Sequence, residues 1–402
     1  VLKLAEKMEK TVSVLGFLLA FSEHLDSQLP ENRRHSSRVA NISLAIANYL
    51  NLSEKSKYDL AISALLHDAG NGNKNHNNNN NHKEISDHAL KSSLFLSDIP
   101  FLERASTIIK YHHFPWNLGK GEFYQDEKIP IESQILNLAE HIDESYDKSK
   151  YILKEKNKII KKIKEKGEKI FNPDVLNAFY DLSQKESFWF EINYDDITPQ
   201  NFSCDIKLDI DSFLLLSKAI ARIVDYRSKI QVRHSRNVAN IASFLAGNLG
   251  FNDEKIKRIR ISGYLHDIGK VALSSEILLK DDKLTRREIE YIKVHPFKTF
   301  VTLKKSVPFE DIIIWSSYHH EKLNGKGYPF RLKGNEIPTE ARVVAIADIY
   351  SALLEDRPYR KGISEARAIN YMRKLAREGY IDKEIFGVLY ENREELKSVI
   401  RL

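Results

Sequence analysis

Apolar residues recur at helical spacing along most of this chain. From Leu208 to Val224, the residues Leu214, Leu215, Ile220 and Ile223 mark one side of a predicted helix. Val238 to Leu249 continues the period and stops at Gly250. Asn252-Asp253-Glu254 then opens another helix, with Asn252 or Asp253 as its cap. Ser53-Glu54-Lys55 opens a matching helix earlier, and Thr285-Arg286-Arg287-Glu288 has capping-box spacing. Ser364 to Leu375 is a further amphipathic helix. Extended pattern is scarce: Ser187 to Ile197 reads as a short strand or hairpin. The predicted class is all-α.

The pattern occurs twice. Arg34-His35-Ser36-Ser37-Arg38-Val39-Ala40-Asn41-Ile42 returns as Arg233-His234-Ser235-Arg236-Asn237-Val238-Ala239-Asn240-Ile241. Leu66-His67-Asp68-Ala69-Gly70 returns as Leu265-His266-Asp267-Ile268-Gly269, and both offsets are 199. A repeat that long is a domain, not a solenoid unit. The reading is a first domain over 1–184, a linker over 185–207 and a second domain over 208–402. Asn172-Pro173-Asp174-Val175-Leu176 closes the first much as Asp382-Lys383-Glu384-Ile385-Phe386 closes the second.

Composition narrows the setting. A chain of 402 residues with 42% hydrophobic positions can build two ordinary cores. A single cysteine, Cys204, excludes an intramolecular disulfide and suits a reducing, cytoplasmic compartment. The apolar run Val12 to Phe21 is half of the roughly 20 residues needed to span a bilayer. No membrane is expected for this chain, and the apolar face of that run suits either a core or a homodimer. The net charge is +6, but residues 148–169 hold ten Lys against three Glu, so the remainder is near neutral. Such a run reads as the wet face of a helix, not a site for a nucleic-acid polymer. Asn71 to His82, with eight asparagines, reads as a flexible loop whose His76 and His82 are not ligands.

Ten of the 14 histidines form two sets of five. One is His234, His266, His295, His319 and His320, with Asp267 and Asp348. The other is His35, His67, His88, His112 and His113, with Asp68 and Glu140. His35 to His67 and His234 to His266 are both 32 residues apart; His88 to His112 and His295 to His319 are both 24. Imidazoles and carboxylates repeated so point to a metal site built twice. In the second copy His234 and Asp348 suit one ion and His295, His319 and His320 another, with Asp267 shared. Mixed N/O donors suit Fe, Mn, Zn or Co. Two such ions clamp a phosphoryl group and supply a hydroxide nucleophile near neutral pH.

The second copy also carries His266-Asp267-Ile268-Gly269-Lys270, His295-Pro296, His319-His320-Glu321, Gly327-Tyr328-Pro329, and Ala347-Asp348 followed by Asp356-Arg357-Pro358-Tyr359-Arg360. On these motifs, in this order, it resembles the HD-GYP subgroup of the HD phosphohydrolase superfamily over roughly 212–402. The resemblance implies a helical fold, a bi- or trinuclear metal centre, and phosphodiesterase activity on a cyclic dinucleotide, cyclic di-GMP first. It maps metal ligands to His234, His266, Asp267, His295, His319, His320 and Asp348. It maps substrate contacts to Lys270, Tyr328, Arg357 and Arg360, and makes Asp267 and Lys270 the catalytic pair. Arg357 and Arg360 would hold phosphate oxygens, and Gly325 and Gly327 would let backbone approach the ligand. Trinuclear members carry Glu where Ile230 stands, so two divalent ions are expected, Fe or Mn ahead of the others.

Three departures bear on activity: Asn324 and Ser351 stand where the family has Asp, and Thr299 where it has Gly. Thr299 is expected to alter helix packing, and Ser351 to remove a carboxylate near the centre. The first copy resembles the wider HD superfamily without the Gly-Tyr-Pro motif: Phe114-Pro115-Trp116 follows His112-His113, and Asn71 replaces the lysine. Its ligand set His35, His67, Asp68, His88, His112, His113 and Glu140 is complete, with Asp143 or His141 as alternates to Glu140. It reads as a degenerate copy with a regulatory or scaffolding role, or else as a hydrolase of different specificity. Two rivals stand beside a phosphodiesterase: a receptor that binds cyclic dinucleotide without cutting it, and a nucleotidase for linear nucleotides.

Overall fold

A computed structural model describes residues 10–27, 34–71, 86–117, 120–193, 197–228, 233–280, 282–356 and 361–400. Arg357, Arg360, Ile230, His76 and His82 lie outside them. The chain divides into two compact units, Ser13–Ile206, and Lys207–Leu402 with Val1–Val12. Each is a bundle of α-helices; the strands among the described residues are two residues long. No described helix is long and apolar enough to cross a membrane.

The repeat is visible in how helices begin and end. His35–Tyr49 and His234–Asn248 are the two copies of one helix. Each stops in a Schellman turn. Gly250 has φ +77°, with Gly250 N–H donating to Gly247 O and Phe251 N–H to Ala246 O. Asn51 takes the same place at φ +53°, with Asn51 N–H on Asn48 O and Leu52 N–H on Ala47 O. Glycine and asparagine are the residues that tolerate this left-handed position. The next helices, Glu54–Leu66 and Asp253–Leu265, start on side-chain caps. Ser53 accepts from Ser56 N–H and Asn252 from Lys255 N–H. Thr285 and Glu288 form the expected capping box, and Asn172 and Asp382 cap corresponding helices.

The C-terminal core joins Val238, Ile241 and Leu245 to Val343, Val344 and Ile346 of the Thr339–Leu354 helix, with Met372 and Leu389 beyond. The helix Ile210–Arg227 buries Phe213, Leu216, Ile220 and Ile223, but Leu215 is 45% exposed. The predicted stripe was therefore displaced by one position there.

Within the stretch expected to be extended, Glu186–Glu191 is helical, and Phe188, Trp189 and Ile192 are buried in the N-terminal core with Val39, Ile42 and Phe179. The described residues of 185–206 thus fall in the first compact unit. Aromatic residues gave the stretch its extended look, and tertiary packing overrode it. Of the two readings of the Val12–Phe21 face the core reading holds: in the helix Val14–Asp26, Val14, Leu15, Phe17, Leu18 and Phe21 are fully buried. The lysine-rich helix Ile152–Ile170 buries Ile152, Ile159 and Ile163 and exposes Lys154, Lys158, Lys161, Lys162 and Lys164, a solvated face as read.

Candidate metal centre

In the C-terminal unit the chemistry-bearing side chains sit at helix ends. His234 and His295 are the first residues of His234–Asn248 and His295–Ser306. His266 caps the C-terminus of Asp253–Leu265, and Asp267 follows it. His319 and His320 follow Glu310–Ser317, and Asp348 projects from within Thr339–Leu354. Helix ends leave polar backbone groups unpaired, and the site uses them. Nδ1 of His266 lies 2.8 Å from Gly263 O, that of His295 2.8 Å from Ile292 O, and that of His319 2.7 Å from Ser316 O. Each Nδ1 thus carries the proton and donates it, so the lone pair of Nε2 is free for an ion.

These lone pairs converge on carboxylates. Asp267 Oδ2 lies 3.2 Å from His266 Nε2 and 3.8 Å from His234 Nε2. Its Oδ1 lies 3.3 Å from His295 Nε2 and 3.9 Å from His319 Nε2. Asp348 lies 3.3 Å from His234 Nε2, 3.9 Å from His266 Nε2 and 3.9 Å from His320 Nδ1. His295 and His319 face each other, Nε2 to Nε2, at 3.2 Å. Among the described residues His266 Nε2 and Asp267 Oδ1 are buried polar atoms that make no hydrogen bond. Donors about 2.1 Å from one ion sit roughly 3.0–3.4 Å apart, so the shortest of these separations suit a shared cation. His234, His266 and Asp348 form one potential ligand group and His295, His319 and His320 another, while Asp267 groups with His266 and His319.

Protonation agrees. Burial holds His319 and His320 well below the usual imidazole range, helped by neighbouring histidines, and lowers His295 despite Asp267. Burial would raise both carboxyls, but it is outweighed. His266 and Lys270 hold Asp267 far down, and His234 and His320 do so for Asp348. Neutral imidazoles and ionised carboxylates are the states that ligate metal.

The remaining expected residues fall as follows. Lys270 pairs with Asp267 from the turn Ile268–Ala272. The Tyr328 ring lies 4.8 Å from the His320 ring. A Cβ at Gly327 would meet Lys322 N at 2.4 Å and Glu321 Cα at 2.5 Å, so the glycine lets the Gly-Tyr-Pro loop lie on its own chain. Glu321 holds that loop by accepting from Phe330 N–H at 2.7 Å and Leu332 N–H at 3.0 Å. Asn324 accepts from Lys326 N–H in a turn, which Asp could do equally.

Thr299 is a tie, not a packing defect: its hydroxyl donates to His266 O at 2.9 Å and accepts from Gly269 N–H at 3.1 Å. Ser92 does the same in the N-terminal unit with His67 O and Gly70 N–H. Sequence reasoning missed Glu355, which bonds His234 Nδ1 at 2.8 Å. It also missed Asp225, which takes Ser235 N–H and Oγ–H. The repeat was the available signal for Asp225: Asp26, 199 residues earlier, grips Ser36 identically.

The N-terminal unit assembles its own set. Asp68 reaches His35 Nε2 at 3.9 Å through one oxygen and His88 Nε2 at 3.8 Å through the other. His35 and His67 lie 3.3 Å apart, His88 and His113 2.9 Å. Glu140 contacts His112 and His113 at 3.5 and 3.6 Å. The potential ligand groups are His35, His67 and Asp68, and His88, His112, His113 and Glu140. Neither alternate joins them. His141 bonds Asn137 O and packs on Phe171, and Asp143 lies behind His35, on its Nδ1 at 2.7 Å. Burial, with Glu144 and Asp68 nearby, pushes Glu140 well above the usual carboxylate range, the reverse of Asp348.

Comparison with known proteins gives the same division. HD-domain family models match residues 33–145 and 218–385. The chain is 28% identical to a 3'3'-cGAMP-specific phosphodiesterase 1 of Vibrio cholerae over 96% of its own length and 94% of that protein's. It is 33% identical to a cyclic di-GMP phosphodiesterase response regulator of Xanthomonas campestris pv. campestris over 45% of this chain and 48% of that one. The crystal structure of a cyclic GMP-AMP-specific phosphodiesterase of V. cholerae, 23% identical, shares the fold with a TM-score of 0.63 over 97% of this chain and 99% of that one.

Proposed function

This chain is a tandem HD-domain protein, and from that premise we propose that its C-terminal unit is a metal-dependent phosphodiesterase that hydrolyses a cyclic dinucleotide, 3'3'-cGAMP ahead of cyclic di-GMP. The observation that carries the reading is Asp267, with one oxygen toward His234 and His266 and the other toward His295 and His319. The motifs alone favour cyclic di-GMP. Similarity along nearly the whole chain to a 3'3'-cGAMP enzyme, against less than half for the cyclic di-GMP relative, supports putting 3'3'-cGAMP first.

When bound, two divalent ions, Fe or Mn ahead of the Zn or Co that the donor set also suits, would supply Lewis acidity and activate the attacking water. The protein's own groups do the rest. Backbone carbonyls and Glu355 fix the imidazole protons away from the centre. Lys270 holds a cation beside the charge that develops on phosphate. Tyr328 presents a ring face beside His320 for a base. Arg357 and Arg360 complete the proposed phosphate grip.

Purified protein with Mn or Fe should linearise 3'3'-cGAMP faster than cyclic di-GMP. Binding without turnover selects the receptor reading, and cleavage of linear pGpG alone selects the nucleotidase. Lys270→Ala should keep its metal and lose about a hundredfold in kcat; an unchanged kcat refutes the role. We infer a second metal site in the N-terminal unit without a dinucleotide grip. Asp68→Ala should lower metal per chain, read by element analysis, and leave turnover intact. Undiminished metal content overturns that site.

A further inference from the structure

His234 is held from behind by a carboxylate that the repeat does not predict. Glu355 is 1% exposed. One of its oxygens accepts from His234 Nδ1 at 2.8 Å, and the other accepts from Asn237 Nδ2 at 2.9 Å and from Ser351 Oγ at 2.6 Å. In the N-terminal unit the same task falls to Asp143, which bonds His35 Nδ1 at 2.7 Å and Arg38 Nε at 2.6 Å.

The two arrangements correspond position by position. Arg38 and Asn237 each stand three residues after their histidine. Asp143 and Ser351 each stand three residues after Glu140 and Asp348. Where one copy has Asp the other has Ser, and a Glu one helical turn later reaches back across the hydroxyl. Glu355 is the C-cap of Thr339–Leu354 and its backbone has turned extended, so its longer side chain brings a carboxylate oxygen to the same imidazole nitrogen.

We propose that Glu355, seated by Ser351 and Asn237, is the positioning residue for His234 and replaces the carboxylate that Ser351 lacks. The Ser351 departure then leaves the centre intact. Glu355 keeps the proton on Nδ1, turns the Nε2 lone pair toward Asp348 and Asp267, and raises the donor strength of the ring. The inference rests on the metal reading above for its consequence in affinity, but not for the imidazole geometry.

The test uses the full chain in four forms: wild type, Glu355→Gln, Glu355→Ala, and the exchange Ser351→Asp with Glu355→Ser. Competition with a chelator should show metal affinity falling about 10–100-fold in Glu355→Ala and less in Glu355→Gln. It should recover in the exchange variant, with kcat following affinity. Selective ¹⁵N-histidine spectra of the metal-free proteins give a second readout. His234 should be a single Nδ1–H tautomer in wild type and the exchange variant, and a mixture in Glu355→Ala. Folded Glu355→Ala with wild-type affinity and an unmixed tautomer overturns the proposal, as does a folded exchange variant that recovers neither. A wild type that binds no metal refutes the metal reading alone, because the tautomer measurement still decides what Glu355 does.

Discussion

Asp267→Ala should strip stable metal from the C-terminal unit and cut turnover by at least about a thousandfold. The reason is position rather than charge count. Glu355 lies behind His234 on its Nδ1, and Asp348 reaches His234, His266 and His320 but has no contact with His295 or His319 among the described residues. Asp267 is the carboxylate that, among the described residues, reaches His295 and His319 as well as His234 and His266. Without it, His295 and His319 face each other with lone pairs 3.2 Å apart and nothing anionic to hold a cation between them. Several kcal/mol of transition-state stabilisation depend on the ions, and about 1.4 kcal/mol is a factor of ten in rate. Element analysis and single-turnover assays check this. Retained turnover in a metal-depleted variant would remove the centre from the mechanism.

Gly269→Ala should destabilise the C-terminal unit by about 3 kcal/mol or more. A Cβ at Gly269 would stand 2.1 Å from His295 O and 2.6 Å from Thr299 N, both backbone atoms of the helix that starts with His295. Neither can move without displacing His295 from Asp267. Gly70 faces the same helix start in the first copy, His88 O at 2.6 Å and Ser92 N at 2.7 Å, so Gly70→Ala should be harmful too. The glycine of the His-Asp-x-Gly motif is thus a packing requirement of the metal site, not a flexible link. Gly247→Ala is the control: it lies in an exposed helical turn with nothing within 4 Å of its Cβ, and should gain about 0.5–1 kcal/mol. Urea-unfolding midpoints measure all three. An unshifted midpoint for Gly269→Ala would show that the helix start yields at little cost.

Local signals carried far in this chain. Helix starts were readable at Ser53, Asn252 and Thr285 because a cap needs only its own side chain and the next three amides. The stop at Gly250 was readable because a left-handed residue is needed there. Harder features were those that a neighbour in space decides. Phe188 and Trp189 look like strand residues until the N-terminal core covers them. Leu215 fits an apolar stripe until the helix turns it outward. At Gly327 the need for glycine to clear Glu321 and Lys322 shows only in the fold.

The order of histidines and acids, the doubling and the helical class were written in one dimension, since period and repeated spacing need no partner to be seen. Which oxygen of Asp267 meets which imidazole was not. Nor was the hold of Glu355 on His234 across 121 residues, nor the failure of His141 and Asp143 to enter the N-terminal ligand groups. These depend on where helices cross, and a crossing is set by the packing of whole cores rather than by any short stretch of chain.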